Sequence, residues 1–175
     1  MVGAIRKHGL TLERVRELLE YNEETGDIIW RIRVTSTVPA GAIAGGLNNG
    51  YISISIDNIS YYAHHIAWFL KTGKPPSGRI DHRNGKKNDN RWNNLREATH
   101  SQNKMNMPER CDNRSGFKGV TVSGKKFKAQ ICADGVIYYL GRFDTPEQAS
   151  DAYKKKSLEI HGDFSFYARD NQEGI

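Results

Sequence analysis

Apolar residues recur at Leu12, Val15, Leu18 and Leu19, the one-stripe spacing of an amphipathic helix, and Thr11 stands where an N-cap is wanted. A first helix ending near Tyr21 is predicted. Glu24-Thr25-Gly26-Asp27 supplies turn residues, and Ile28 to Ile32 has the β-branched and aromatic content of a strand. A loop bracketed by Gly41, Gly45, Gly46 and Gly50 comes next. From Tyr51 the period changes to two: Tyr51, Ser53 and Ser55 alternate with Ile52, Ile54 and Ile56, the pattern of a strand with one buried face. Asp57-Asn58 makes a tight turn and Ser60-Tyr61-Tyr62 a returning strand. A helix carrying His64, His65, Ile66, Trp68, Phe69 and Leu70 then runs until Gly73 and Pro75-Pro76 stop it.

Between Met105 and Gly116 the chain is polar, contains Pro108 and has no apolar period, so this stretch reads as an interdomain linker. Beyond it, Val120 to Val122, Phe127 to Cys132 and Val136 to Leu140 predict three strands. Ser123-Gly124 and Ala133-Asp134-Gly135 are the turns between them. Thr145 as N-cap, Pro146 at the first helical position and Gln148 at the third start a final helix, with Ala149, Ala152 and Tyr153 on one face. The chain contains no internal repeat. The expected fold class is α+β, in two small domains rather than one.

Composition narrows the function classes. No apolar run approaches the ~20 residues that span a bilayer, so no membrane partner is expected. Met1 to Leu10 holds Arg6 and Lys7 without a long apolar stretch, which argues for an intracellular protein. Cys111 and Cys132 are too few for a disulfide framework and not spaced for zinc, so both read as reduced thiols. The formal charge of +6 is unevenly spread. Arg79 to Lys128 holds 13 Lys and Arg against 5 Asp and Glu, an excess of +8, while the remainder holds 13 against 15, or −2. A basic block of this kind suits a surface that meets phosphates.

Inside that block lies I-D-H-R-N-G-K-K-N-D-N-R-W-N-N-L-R-E-A-T-H-S-Q-N, from Ile80 to Asn103. Asp81 and His82 should end a short strand, Asn84-Gly85 should turn, and Asn94-Leu95-Arg96 should lead into a helix reaching Asn103, giving a ββα unit. A hard cation such as Mg²⁺ takes oxygen ligands, so the Asp81 carboxylate and the Asn103 amide suit it. Mn²⁺ or another divalent ion is also compatible with such donors. His82 can accept a proton from water near neutral pH, as hydrolysis at phosphorus requires. Asn84, Asn88, Asp89, Asn90 and Asn93 read as loop-shaping residues. One of His64 and His65 is expected in the core, and the spacing gives neither a ligand role. His100 and His161 carry no signal.

The same segment resembles the HNH endonucleases, in particular their homing and phage-encoded branch with its D-H…N-x-x-N-L-R…N pattern. The resemblance implies that Asp81 and Asn103 hold one divalent metal and that His82 is the general base. It also implies that Asn94 props the loop and orients the histidine. G-D-I-I-W, N-G-Y-I-S-I and A-H-H-I-A-W-F extend the likeness, which runs from about Leu12 to Met107. Asparagine at the last motif position departs from the members that end in histidine and favours the homing branch over the colicin type.

S-G-F-K-G-V…F-K-A-Q-I…Y-Y-L-G-R-F-D-T-P-E-Q-A, from about Ser115 to Tyr167, resembles the Apetala-type DNA-binding domain of plant ethylene-response factors, which is also found attached to phage HNH nucleases. That family lays a three-stranded sheet in the major groove, which makes Lys118, Thr121, Lys128, Gln130 and Tyr139 the groove-facing candidates here. Plant members carry arginines where this chain has Thr121, Cys132 and Ile137, and tryptophan at Tyr139, so their base preference does not transfer. Lys125, Lys126 and Arg142 are candidates for phosphate contacts, as are Arg83, Lys86, Lys87, Arg91 and Arg96 of the basic block.

The expected arrangement is an HNH unit over residues 1–107, a linker over 108–114 and a DNA-binding module over 115–170. The expected activity is metal-dependent hydrolysis of double-stranded DNA by a monomer or homodimer. A non-cutting, sequence-specific DNA-binding regulator is the alternative.

Overall fold

The computed structural model describes residues 9–109, 111–133 and 135–171, with backbone only at 170 and 171; Arg6, Lys7 and Asp134 lie outside this set. The chain is α+β and divides into two compact units, Met1–His100 and Ser101–Ile175. No helix among the described residues is long and apolar enough to cross a membrane.

In the first unit, α1 (Leu12–Leu18) begins at Thr11, whose side chain accepts from the Arg14 backbone N–H. The helix stops three residues short of Tyr21, where the sequence predicts its end. Leu19 is extended and opens β1 (Leu19–Tyr21), which pairs antiparallel with β2 (Ile28–Trp30). Leu19 is still buried, at 1% exposure, so the strand reaches the core by a different route.

A three-stranded sheet follows, ordered β3-β4-β5: Gly46–Asn48, Tyr51–Ile56 and Ile59–Tyr62. Both of its turns have two residues. Asn49-Gly50 and Asp57-Asn58 all have positive φ, the backbone that matches a hairpin's twist. On β4 the expected alternation holds at Ile54 and Ile56, which are buried. The strand leads through β5 into α2 (Ala63–Thr72), closed by Gly73 at φ 71°. Ile54, Ile56, Tyr61, Ile66, Ala67 and Phe69 form the core with Val15, Leu18, Leu19 and Ile28.

Ile80 and Leu95 join the same core from the β6 (Arg79–His82) and β7 (Leu95–Ala98) hairpin. Here Leu95 and Arg96 begin a strand, where the sequence suggested a lead into helix. α3 (His100–Met105) follows β7, and its first residue closes the first unit.

The second unit is a sheet ordered β10-β9-β8, with strands Val120–Ser123 (β8), Lys126–Ala133 (β9) and Val136–Phe143 (β10). α4 (Pro146–His161) starts with the Thr145 side chain accepting from the Gln148 backbone N–H. Ala129, Ala149 and Val120 are buried together, with Phe117, Phe127, Leu140 and Phe143 against them. Gly119 lets Tyr153 approach: a Cβ there would stand 1.9 Å from the tyrosine ring.

Candidate active site and nucleic-acid interface

The β6–β7 hairpin sets Asp81 directly opposite Arg96. Arg96 donates to Asp81 Oδ2 from Nε at 2.9 Å and from Nη2 at 2.7 Å, and both side chains are buried. Arg96, counted among the DNA-facing cations in the sequence, is thus turned inward. A guanidinium beside a buried carboxylate keeps that carboxylate from being an uncompensated charge.

His82 ends β6 and is 5% exposed. Its Nε2 lies 3.3 Å from Asn90 Oδ1. With that oxygen accepting, Nε2 carries the hydrogen and Nδ1 holds the lone pair. Burial pushes the imidazole below its ordinary range, against the Asn90 bond and the charges of Asp81 and Asp89, which raise it. The neutral form is therefore favoured.

The loop between β6 and β7 is tied by Asn94. Its Oδ1 accepts from the Asn84 backbone N–H at 2.9 Å, and its Nδ2 donates to the Asp89 carbonyl at 2.7 Å. Its own carbonyl accepts from Arg83 N at 2.9 Å. Asp89 is clipped by Arg91 at 2.8 and 2.6 Å, which with Asn84 holds the carboxyl down at about 2. The first hairpin braces the loop from outside: Tyr21 Oη donates to the Asn90 carbonyl at 2.7 Å and Trp92 N to the Glu23 carbonyl at 3.0 Å. Gly26 makes this approach possible, since a Cβ on it would lie 2.5 Å from Arg91 N.

Three residues that sequence reasoning left aside crowd His82. The His64 ring, at the start of α2, stands edge-on to it at 5.0 Å, and Tyr51 of β4 lies at 6.0 Å. Asn90, read as a loop-shaping residue, is its hydrogen-bond partner. Tyr62 stacks on His64 at 5.4 Å. Nδ1 of His64 is buried without a partner among the described residues, a state that costs about 1–3 kcal/mol. Burial holds His64 well below its usual value and, with His82, takes His65 to about 4. The Y-Y-A-H-H run that leads into α2 is the signal that marks this cluster in the sequence.

Lys86 and Lys87 are exposed on the same loop, and Lys87 Nζ sits 5.0 Å over the Tyr51 ring. Arg83 is half-buried and Arg91 exposed. Residues 61–105 match the HNH endonuclease family. The HNH segment so defined contains Asp81, His82, Asn94 and Asn103. An uncharacterized HNH endonuclease of Acanthamoeba polyphaga mimivirus is 34% identical over 95 residues, covering 53% of this chain and 49% of the relative. The chain thus spans about half the length of that curated relative. No solved structure matches significantly.

Asn103 is half-buried on α3, in the second unit. The Asp81 carboxylate and the Asn103 amide oxygen are of the chemical class that hard divalent cations take. Among the described residues no group of three or more His, Cys, Asp and Glu is assembled for a metal.

In the second unit, strand alternation separates two faces. Phe127, Ala129 and Ile131 share one face of β9, to which α4 is packed. Lys128, Gln130 and Cys132 lie on the other, opposite Thr121, Tyr139 and Ile137 in register. Lys125 and Lys126 are exposed at the β8–β9 turn, where Lys126 pairs with Asp144 at 3.0 Å. Lys118 is placed differently from its groove-facing expectation: half-buried, it donates to the carbonyls of Met105 and Met107. Burial takes its ammonium down to about 8.

Proposed function

We propose that this chain is an intracellular, metal-dependent DNA endonuclease of the homing or phage HNH type. The first unit hydrolyses a phosphodiester bond and the second, an Apetala-type sheet module, holds double-stranded DNA. The observation that carries the reading is His82, buried within the HNH segment with its Nε2 3.3 Å from Asn90 Oδ1.

His82 accepts a proton from a water molecule as that water attacks phosphorus. The P–O3′ bond breaks, leaving a 5′-phosphate and a 3′-hydroxyl. A divalent cation held by Asp81 and Asn103, Mg²⁺ by the preference of oxygen donors, supplies charge neutralisation at the phosphate. Asn94 keeps the loop in the shape that presents Asn90 to His82. Lys86 and Lys87 offer phosphate contacts beside it. Whether one strand or two are cut follows from whether one or two chains assemble on the target.

The test is conversion of supercoiled plasmid with Mg²⁺, with EDTA and with His82→Ala, beside a DNA-binding assay. Cutting that requires both the metal and His82 while binding persists is the expected result. Metal-independent binding with no cutting would make the chain a DNA-binding regulator.

A further inference from the structure

The open face of the second unit is arranged in three rows across its strands. The first joins Thr121, Lys128 and Arg142; the second Gln130 and Tyr139; the third Cys132 and Ile137. A register shift between Tyr139 and Gly141 makes this grouping possible. Without the extra residue, Arg142 would fall on the α4 side and Gly141 opposite Lys128. The shift therefore returns a cation to the open face.

Ile137 and Tyr139 are 65% and 61% exposed, and Cys132 is also exposed. No carboxylate stands on these rows among the described residues. The cation row lies at one end. A cleft of about 760 Å³ runs past all three rows, touching Thr121, Gln130, Cys132 and Ile137, and its wall carries Glu109 and Asp112 together with Arg114 and Lys118. The paired cations Lys128 and Arg142 therefore mark the end of the rows that suits phosphate.

The middle and apolar rows carry no guanidinium or ammonium, the groups that grip guanine O6 and N7. Gln130 has the paired donor and acceptor that match adenine N6 and N7, and Ile137 and Cys132 offer the soft surface that suits a thymine methyl. Residues two apart on a strand are separated by about 7 Å. That is roughly two base steps of 3.4 Å.

We infer that this face reads an A·T-containing duplex in the major groove, with adenine at Gln130 and a thymine methyl about two base steps away at Cys132 and Ile137. The Lys128 and Arg142 row lies against phosphate. The inference rests on the proposal that the second unit holds duplex DNA.

The experiment is selection of a random duplex library by the full chain in EDTA, followed by affinities for the enriched site and its variants. Enriched sites should share an A·T core. Replacing the critical thymine by deoxyuridine, which removes only the methyl, should weaken binding several-fold in the native chain and not in Ile137→Ala. Gln130→Ala should lose the preference for adenine, roughly ten-fold at that position. Both residues lie on the solvent side of the sheet, and thermal melting of each variant checks that the fold is intact. A G·C core, or indifference to the methyl, would overturn the base assignment while leaving the sheet as the DNA-holding surface, provided Lys128→Ala and Arg142→Ala still weaken binding. If those two variants bind as the native chain does, the assignment of duplex binding to this unit falls as well. Preference for single strands would likewise overturn both.

Discussion

Asp81, His82, Asn90, Asn94 and Arg96 of the first unit are each 6% exposed or less, whereas Ile137 and Tyr139 of the second stand 65% and 61% exposed. Both sets are carried by small antiparallel sheets and, for Asn90 and Asn94, the loop joining two strands, so sheet architecture alone does not account for the contrast. The work proposed for each does. A group that must move a proton is useful only if its orientation is settled before the substrate arrives, which burial and hydrogen bonds achieve. A group that reads a base edge must instead be reachable, and its precision comes from the strand beneath it. The first unit therefore holds polar groups in its interior, down to Nδ1 of His64, which has no partner among the described residues. The second also buries polar groups, Asn106, Ser150, Ser157 and Ser165 among them, but leaves Cys132, Ile137 and Tyr139 of its open face exposed.

The most disruptive test of that contrast is Gly26→Ala. Gly26 adopts φ 82°, and its Cβ would meet Arg91 N at 2.5 Å and Asn90 C at 2.7 Å. The new methyl group must push the loop that carries Asn90 or distort its own turn. The first unit should lose roughly 2–3 kcal/mol. DNA binding through the second unit should survive. Melting curves followed beside a DNA-binding assay check both points, and equal damage to both units would refute their independence.

Next in size is Asn90→Ala, which removes the side chain whose Oδ1 lies 3.3 Å from His82 Nε2. Cutting should fall about 10- to 100-fold, as when an orienting partner is lost elsewhere, with DNA affinity unchanged. Asn90→Asp retains an acceptor and should recover much of the rate. Equal losses in both variants would reduce Asn90 to loop packing alone.

Much of this was legible along the chain, for reasons that differ by element. β4 and its turn could be read because Ile54 and Ile56 alternate with serines and Asp57-Asn58 suits positive φ. β3 could not, since Gly46, Leu47 and Asn48 are all exposed and show no periodic burial. β7 was hidden because Leu95-Arg96-Glu97-Ala98 has no β-branched residue, and Arg96 is buried by pairing with Asp81 rather than by hydrophobicity. Asp81, His82, Asn94 and Asn103 stood out by spacing within one segment. Tyr51 and His64 lie 31 and 18 positions before His82 in the numbering, and only the fold brings them to it.

A smaller effect is expected from acid. His65 titrates at about 4 in the folded chain, mainly through burial, against an ordinary 6.5. Between those values the unfolded chain takes up a proton that the folded chain refuses. Its contribution to stability is full above pH 6.5 and is lost as the pH falls toward 4. His64 and His82 shift in the same direction. The first unit should therefore begin to weaken below pH 6.5, and His65→Gln should flatten that decline. An unchanged pH profile in this variant would show that His65 is not its source.

The smallest expected effect lies on the exposed side of the comparison. Lys128 and Arg142 share a row and are paired in register, and neither helps form the apolar core beneath α4. Alanine at either position should leave melting almost unchanged and weaken DNA binding only several-fold, to a similar degree on every sequence. A phosphate contact releases counterions, so each substitution should lower the slope of log affinity against log salt by about 1. Slope separates two roles that affinity alone would merge. Gln130→Ala should change sequence preference at constant slope, and Arg142→Ala should change slope at constant preference. If Arg142→Ala altered preference instead, the cation row would be reading bases, and the division between a phosphate end and a base-reading end of the sheet would have to be redrawn.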